Sequence, residues 1–375
     1  MRRHNSVFIA ATGQNVGKTT ICLGILAGLL KRYKNVGFIK PVGQQHITID
    51  SNIKVDKDVV LFKKRFQLPS EWQDMSPVIV PAGFTRDYID GKVTELEIQQ
   101  KIQEAFERIY NSHAYTVVEG TGHVGVGSII DMNNAKIAAD LGLDMILIGS
   151  GGLGSTIDEL SLNLAMCREY GVNLRGVILN RVLDDKREMI IEYISKALKK
   201  YHIPLIGCIP YNEFLSNPTM RDFENLFDTS LIAGEKHHYR HFQHTRLVAG
   251  SLQYYEVEMI PNELVITPAS RLDIIRATLK KHKTCLEKDG IDFGGGMILT
   301  GRHKPDAALI AEINEVALPV IYAPVCSYDA MKLITHHTAK IRIEDVPKVE
   351  KAIKLVEENI DFDKLTAINS NQQHR

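Results

Sequence analysis

VFIAATGQNVGKTT, residues 7–20, is the stretch from which the rest of the chain is read. Val7, Phe8, Ile9 and Ala10 form a short apolar run with the signature of a buried strand, and a loop of small residues leads from it to Gly17, Lys18, Thr19 and Thr20. An apolar-periodic helix is expected from Ile21 to about Lys34. Strand, loop and helix in this order make a phosphate-binding loop. Backbone N–H groups and the helix N-terminus face phosphate oxygens, Lys18 supplies a positive charge to the β/γ-phosphates, and Thr19 offers its hydroxyl to Mg²⁺. The ligand implied is a nucleoside triphosphate. The usual pattern has a glycine where this chain has Thr12, with Gly13 displaced by one, so the loop is a variant.

With 375 residues the chain can bury a large core in two or three domains. Lys plus Arg equals Asp plus Glu at 45 each, which leaves neither a basic footprint for nucleic acid nor an acidic tail. The five cysteines (Cys22, Cys167, Cys208, Cys285, Cys326) are odd in number and widely spaced, as expected of reduced residues in a reducing compartment. No window of about 18 apolar residues is present, so no membrane span and a cytoplasmic location are expected.

Beyond the first helix, VGFI (36–39) is a second strand ending in Lys40-Pro41. Proline excludes helical geometry at the residue before it, so Lys40 falls at the carboxyl end of that strand, where open α/β sheets bind ligands. Lys40 is therefore a candidate second phosphate or substrate lysine. Asp56 and Asp58 open the pattern DVVLFKKRF and are either helix caps or Mg²⁺ ligands, capping being the simpler account. Residues 69–92, with Pro69, Pro77, Pro81 and Asp90-Gly91, read as a long irregular loop of the kind that serves as a lid. YTVV (115–118) ends in Glu119-Gly120-Thr121-Gly122, which places a carboxylate at a strand end where it can hold Mg²⁺. MILIG (145–149), GVILN (176–180) and LIGCIP (205–210) continue a strand–helix alternation, which specifies a doubly wound parallel sheet.

Past residue 212 the character changes. HHYRHFQH (237–244) offers His237, His238, His241 and His244 at helical spacing, but a solvated surface is the simpler reading than a metal site. A second, smaller α/β alternation follows, with LVIT (264–267), MILT (297–300), a strand from Val320 to Ala323, and helices that include one near 346–359. The polar end, INSNQQHR (368–375), is expected to fray.

These motifs together resemble known families. Residues 1–212 are similar to dethiobiotin synthetase and related phosphate-loop amide ligases in Thr12 with Val16 to Thr19, the Lys40-Pro41-Val42 turn, Asp58, the Glu119–Gly122 turn, and Asn180 before Ile209-Pro210. The resemblance implies that Thr12, Gly13, Gln14, Asn15, Val16, Gly17, Lys18, Thr19 and Thr20 cradle ATP and that Asn180 contacts adenine. It further implies that Thr19, Asp58 and Glu119 hold Mg²⁺, while Lys18 and Lys40 carry the chemistry. Thr121 and His123 stand where that family has small residues, so its particular substrate is not carried over. Residues 213–340 look like a DRTGG domain, without the name-giving pentapeptide, in RLVAG (246–250), ELVITP (263–268), Ile298 to Pro305 and Leu318 to Val320. Residues 341–375 are set apart as a C-terminal helix and polar tail.

This pair of domains resembles the front half of long bacterial phosphate acetyltransferase. The catalytic domain of those enzymes lies beyond the matched part, so no acetyl transfer is expected of these residues. The leading expectation is a Mg²⁺-dependent ATP-binding protein, an ATPase with a regulatory second domain that takes an unknown small-molecule ligand. An ATP-dependent carboxylate or carbamate–amine ligase is the first alternative, and a non-catalytic nucleotide sensor or partner-binding module the second. The related ligases imply a homodimer; neither nucleic acid nor a membrane is expected as partner.

Overall fold

Six apolar runs in the first 212 residues become strands: β1 (Ser6–Ala11), β2 (Val36–Ile39), β3 (Tyr115–His123), β4 (Met145–Gly149), β5 (Leu174–Val182) and β6 (Leu205–Pro210). They form one sheet in the order β6-β5-β4-β1-β3-β2, with every neighbouring pair parallel. Strands β1, β2 and β4 are buried at every residue, which is why they read as continuous apolar runs and not as alternating ones. Helices α1 (Lys18–Leu30), α2 (Lys57–Phe66), α3 (Glu95–Ser112), α4 (Asn134–Asp140), α5 (Gly154–Glu169) and α6 (Arg187–Lys199) connect the strands. The Thr94–Glu97 capping box opens α3 as its sequence predicts.

This computed structural model describes residues 3–49 and 52–367; the polar end expected at 368–375 lies outside them. Helix α1 starts at Lys18 rather than Ile21, because Gly17 immediately before it has φ 98 and ψ 32, a left-handed conformation that cannot be part of the helix. It ends at Leu30, where the N–H groups of Arg32 and Tyr33 turn back to the Leu29 carbonyl. Residues 69–92 are more ordered than their prolines suggest. They form helices Trp72–Met75 and Phe84–Ile89 and a short strand, Val78–Ile79, that pairs in parallel with Val42–Gly43. Buried Met75 anchors the segment, and its carbonyl accepts from Lys40 N–H at 2.9 Å.

A second unit spans Glu213–Lys340. Its strands β7 (Leu231–Ala233), β8 (His244–Leu247), β9 (Glu263–Pro268), β10 (Gly296–Thr300) and β11 (Val320–Ala323) lie in the order β7-β11-β10-β9-β8, with β7 alone antiparallel to its neighbour. One face is covered by Met220, Phe223 and Phe227 of α7 (Met220–Phe227) and by Ala330 and Ile334 further on. The other packs against Tyr255, Ile274, Leu279 and Ile313. The histidine-rich segment does not form the helix that its spacing allowed. His238 instead bonds Glu224 Oε2 through Nδ1 at 2.8 Å, His237 contacts Arg240, and among the described residues no three His, Cys, Asp or Glu side chains gather as a metal site.

The helix near 346–359 belongs with the first unit, not with the second alternation. Residues from Ile341 on return to the first sheet as α8 (Val346–Glu357) and α9 (Phe362–Thr366). Val349, Ala352 and Val356 are the buried face of α8, which lies on α1 where Gly24 and Gly28 leave room. A Cβ at Gly24 would stand 2.3 Å from Val356 Cβ, and one at Gly28 would stand 2.1 Å from Phe362 Cζ. Arg32 covers the Phe362 ring at 4.1 Å, Lys31 pairs with Glu357 at 2.6 Å, and fully buried Arg175 donates to the Leu365 carbonyl at 3.3 Å. No helix among the described residues is long and apolar enough to cross a membrane.

Candidate functional site

The sheet order places β1 at its centre, with β3 on one side and β4 on the other, so the chain reverses its winding beside the phosphate loop. Ligands bind outside the carboxyl ends of strands at such a point. Next to it the β1–β3 register slips: Ile9 pairs with Glu119 but Ala11 with His123, across the Gly120–Gly122 turn. Asn134, itself buried, holds that turn by accepting from Thr121 N–H at 3.1 Å and donating to the Thr121 and His123 carbonyls at 2.8 and 2.7 Å.

Five sequence-derived site residues meet here. Lys18 Nζ donates to the Gly122 carbonyl at 3.0 Å, and the Thr19 hydroxyl lies 3.4 Å from Glu119 Oε1. Lys40 Nζ, from the end of β2, is held by Asp56 Oδ1 at 2.9 Å and by Asp58 Oδ2 in a close ion pair. Asp56 is the N-cap of α2, accepting from Asp58 N–H at 3.0 Å, so the capping reading applies to Asp56 while Asp58 sits in the first turn. Within the loop, Gln14 and Asn15 are exposed, Asn15 is left-handed at φ 57, and Gly13, Val16 and Thr20 are half-buried. Asn180 reaches the loop itself, donating to the Val16 carbonyl at 2.8 Å. A Cβ on Gly17 would stand 2.2 Å from Asn180 Nδ2, a second reason that glycine is needed there.

Burial tunes these charges. It pushes the Glu119 carboxyl up to about 7, with Asp58 adding to the effect and the ammonium groups of Lys40 and Lys18 opposing it. Burial likewise pushes Lys18 down, against the attraction of Glu119. For Lys40, burial works against the charge but is outweighed by Asp58, Glu119 and Asp56, which together hold it above the ordinary lysine value. Among the described residues, Glu119 Oε2 is buried with no hydrogen-bond partner. An acceptor so placed next to the Thr19 hydroxyl and near Asp58 suits a hard cation that takes oxygen ligands. Two carboxylates and a hydroxyl fall short of a full cage, which is the usual way that Mg²⁺ is held when phosphates complete its shell.

Three contacts were not legible in the motifs. Thr12, in the position of the missing loop glycine, donates its hydroxyl to Glu159 Oε2 at 2.7 Å. Asn163, one turn further along α5, donates to the Thr12 carbonyl at 3.1 Å and accepts from Val124 N–H at 3.0 Å. Asp56 is the third, as the buried partner of Lys40. The available signal for the first two was a polar pair at i, i+4 on α5, whose inner face is otherwise Thr156, Leu160, Leu164 and Cys167. A separate cleft of about 350 Å³, where Arg187, Cys208 and Asn359 meet, contains none of the loop residues.

Fold and loop together define a phosphate-loop NTPase-like domain of the doubly wound α/β class. Residues 5–219 match the AAA domain family AAA_26, more than half of the chain, and the chain belongs to that family. Residues 224–337 match the DRTGG domain. Phosphate acetyltransferase of Nitrosomonas europaea is 25% identical over 370 residues, covering 95% of this chain and 50% of that protein. The ATP-dependent dethiobiotin synthetase BioD of Methanocaldococcus jannaschii is 29% identical over 213 residues, covering 55% of this chain and 94% of that protein. The chain thus spans about half the length of the phosphate acetyltransferases that it matches. Among solved structures, the MinC:MinD cell division protein complex of Aquifex aeolicus aligns with 56% of this chain and 83% of its own at 17% identity and a TM-score of 0.36.

Proposed function

We propose that this chain binds ATP with Mg²⁺ at the phosphate loop and hydrolyses it, and that the DRTGG unit regulates that activity through a small ligand of its own. The observation that supports this reading is the meeting of Lys18, Thr19, Lys40, Asp58 and Glu119 at the carboxyl ends of β1, β2 and β3. In this reading Thr19, Asp58 and Glu119 hold the cation, whose role when bound is to offset charge on the phosphate oxygens. Lys18 exchanges the Gly122 carbonyl for phosphate oxygens, which gain more charge in the transition state than before it. The N–H groups of Lys18, Thr19 and Thr20 have no carbonyl one turn back in α1 and are available to the same oxygens. Asn180 binds adenine, and the protein works in the cytoplasm as a homodimer.

The test is phosphate release from Mg-ATP by the purified protein beside Lys18→Ala. Loss of about 10²-fold or more in the variant is expected for removal of one charge-stabilising group. Release that is equal in the two proteins would sink the reading.

One observation favours a second reading, in which ATP activates a carboxylate or carbamate that an amine then attacks. Lys40 is a second ammonium group, buried at the site but outside the phosphate loop, and hydrolysis alone has no use for it. The ligase reading predicts phosphate release that is stimulated by one member of a panel of bicarbonate, diamines and carboxylic acids. Release unchanged by every member counts against it.

A further inference from the structure

Lys40 has two carboxylate partners, and they are not equivalent. The Asp56 side chain is 2% exposed and fully committed: Oδ1 accepts from Lys40 Nζ and from Asp58 N–H, and Oδ2 accepts from Gln45 N–H at 3.3 Å. Its own N–H donates to Ser76 Oγ at 3.0 Å, which ties the N-cap of α2 to the residue that ends the Trp72–Met75 helix. The Asp58 side chain is 28% exposed, reaches Lys40 from the first turn of α2, and stands near enough to Glu119 that its charge acts on that carboxyl more strongly than the charge of Asp56 does. Deep burial leaves Asp56 no access to a further ligand, whereas Asp58 is accessible. A buried ammonium group that loses its only counter-ion is strongly destabilising, so a lysine paired with Asp58 alone would resist giving it up.

We infer that Asp56 is a positioning residue: it holds the Lys40 side chain in place, so that Asp58 can exchange the lysine for the divalent cation. This deepens the proposed function and rests on it in one respect, that Asp58 belongs to the cation's donor set. Without Asp56, cation and lysine would compete for Asp58, the one carboxylate then left in ion-pair contact with the ammonium group. With Asp56 present, the site holds a fixed ammonium group and a cation side by side.

The geometry supplies a clean variant. Asn caps a helix as well as Asp does, so Asp56→Asn removes the charge while keeping the cap. The experiment is Mn²⁺ binding, standing in for Mg²⁺, in the presence of a non-hydrolysable ATP analogue, with free Mn²⁺ measured by electron paramagnetic resonance. It compares the native chain, Asp56→Asn, Lys40→Met and the double variant. Removing one negative charge weakens cation binding by itself, and that contribution is the same in either background. The inference predicts a further loss only where Lys40 is present: about tenfold or more for Asp56→Asn alone, and at most about threefold in the Lys40→Met background, a coupling of the size that double-mutant cycles resolve.

Equal losses in the two backgrounds would overturn it. If Asp56→Asn fails to fold while the double variant folds, Lys40 depends on Asp56 and the assignment stands; if both fail, Asp56 acts through α2 and the assignment falls. Absence of phosphate release from the native protein would remove the hydrolysis reading without touching this cycle. Absence of Mn²⁺ binding to the native protein would remove both.

Discussion

Replacing Phe362 by alanine tests whether the returning C-terminal segment is part of the nucleotide-binding unit. The side chain is 5% exposed and lies on Gly28 of α1, the helix that carries Lys18 and Thr19. Truncating a buried phenylalanine costs about 3–5 kcal/mol, and the lost contact with Arg32 at 4.1 Å adds about 0.5–1 kcal/mol. A destabilisation of about 4 kcal/mol is expected, at the scale where single changes unfold marginal domains. Trp72 is the only tryptophan and lies in this unit, so urea unfolding followed by its fluorescence reads the correct half of the molecule.

The more discriminating arm is Gly28→Ala. In an open helix it should stabilise by about 0.8–1 kcal/mol. Here the new Cβ would stand 2.1 Å from Phe362 Cζ, and overpacking of that kind costs about 1–3 kcal/mol. In the Phe362→Ala background the clash is gone and the helix gain should return. A coupling of at least about 1 kcal/mol between the two positions is therefore expected. Gly28→Ala stabilising both backgrounds equally would refute the docking of this segment on α1.

Gly17→Ala combines a left-handed backbone, worth about 1–2 kcal/mol of strain, with displacement of Asn180 from the Val16 carbonyl, worth about 1 kcal/mol. Affinity for a fluorescent ATP analogue should fall at least tenfold, and unchanged binding would count against this loop geometry. Thr12→Val removes the hydroxyl that meets Glu159 and should leave the carboxylate half-buried without that partner, destabilising the unit by about 1–3 kcal/mol in the same Trp72 assay. In the second unit, burial pushes His282 below its ordinary value of 6.5, with Arg240 adding to this and Asp292 opposing it. The unfolded chain therefore takes up the proton first: stability is full above about pH 6.5 and declines as pH falls through that value towards the folded pKa. Hydrogen exchange over residues 274–290 should quicken from pH 7.5 to 5 after correction for intrinsic rates, and His282→Gln should weaken that trend. A pH-independent native chain would contradict it.

The phosphate loop and the strand alternation were legible in the sequence because their signals are local. Apolar runs of four to six residues, Gly17-Lys18-Thr19, and the proline after Lys40 each act within a few positions. Lys40 and Glu119 were placed at strand ends by the apolar runs before them, whereas Asp58 read from its neighbours as a helix cap and joined the site only through the family resemblance. The long-range contacts were not legible. Thr12 and Glu159 are 147 residues apart, and no periodicity tells a helix which distant hydroxyl it will face. Similarly, the apolar stripe Val349, Ala352 and Val356 announces a helix needing cover, but not that Gly24 and Gly28 of α1 provide it. Proline density misled in residues 69–92, where tertiary pairing of Val78–Ile79 with Val42–Gly43 gave order that turn propensity does not encode.

The return of residues 341–367 to the first unit changes what counts as a self-sufficient piece of this molecule. The second unit interrupts the first, entering after Asn212 and leaving before Ile341, so it is anchored by both of its ends. A fragment that stops near residue 219, where the family match ends, would carry every loop residue yet leave Gly24 and Gly28 of α1 without the cover of Val356 and Phe362. Joining residue 212 to 341 through a short linker, by contrast, would excise the insert and keep that cover. For this chain, the boundary of the family match is not the boundary of the compact unit.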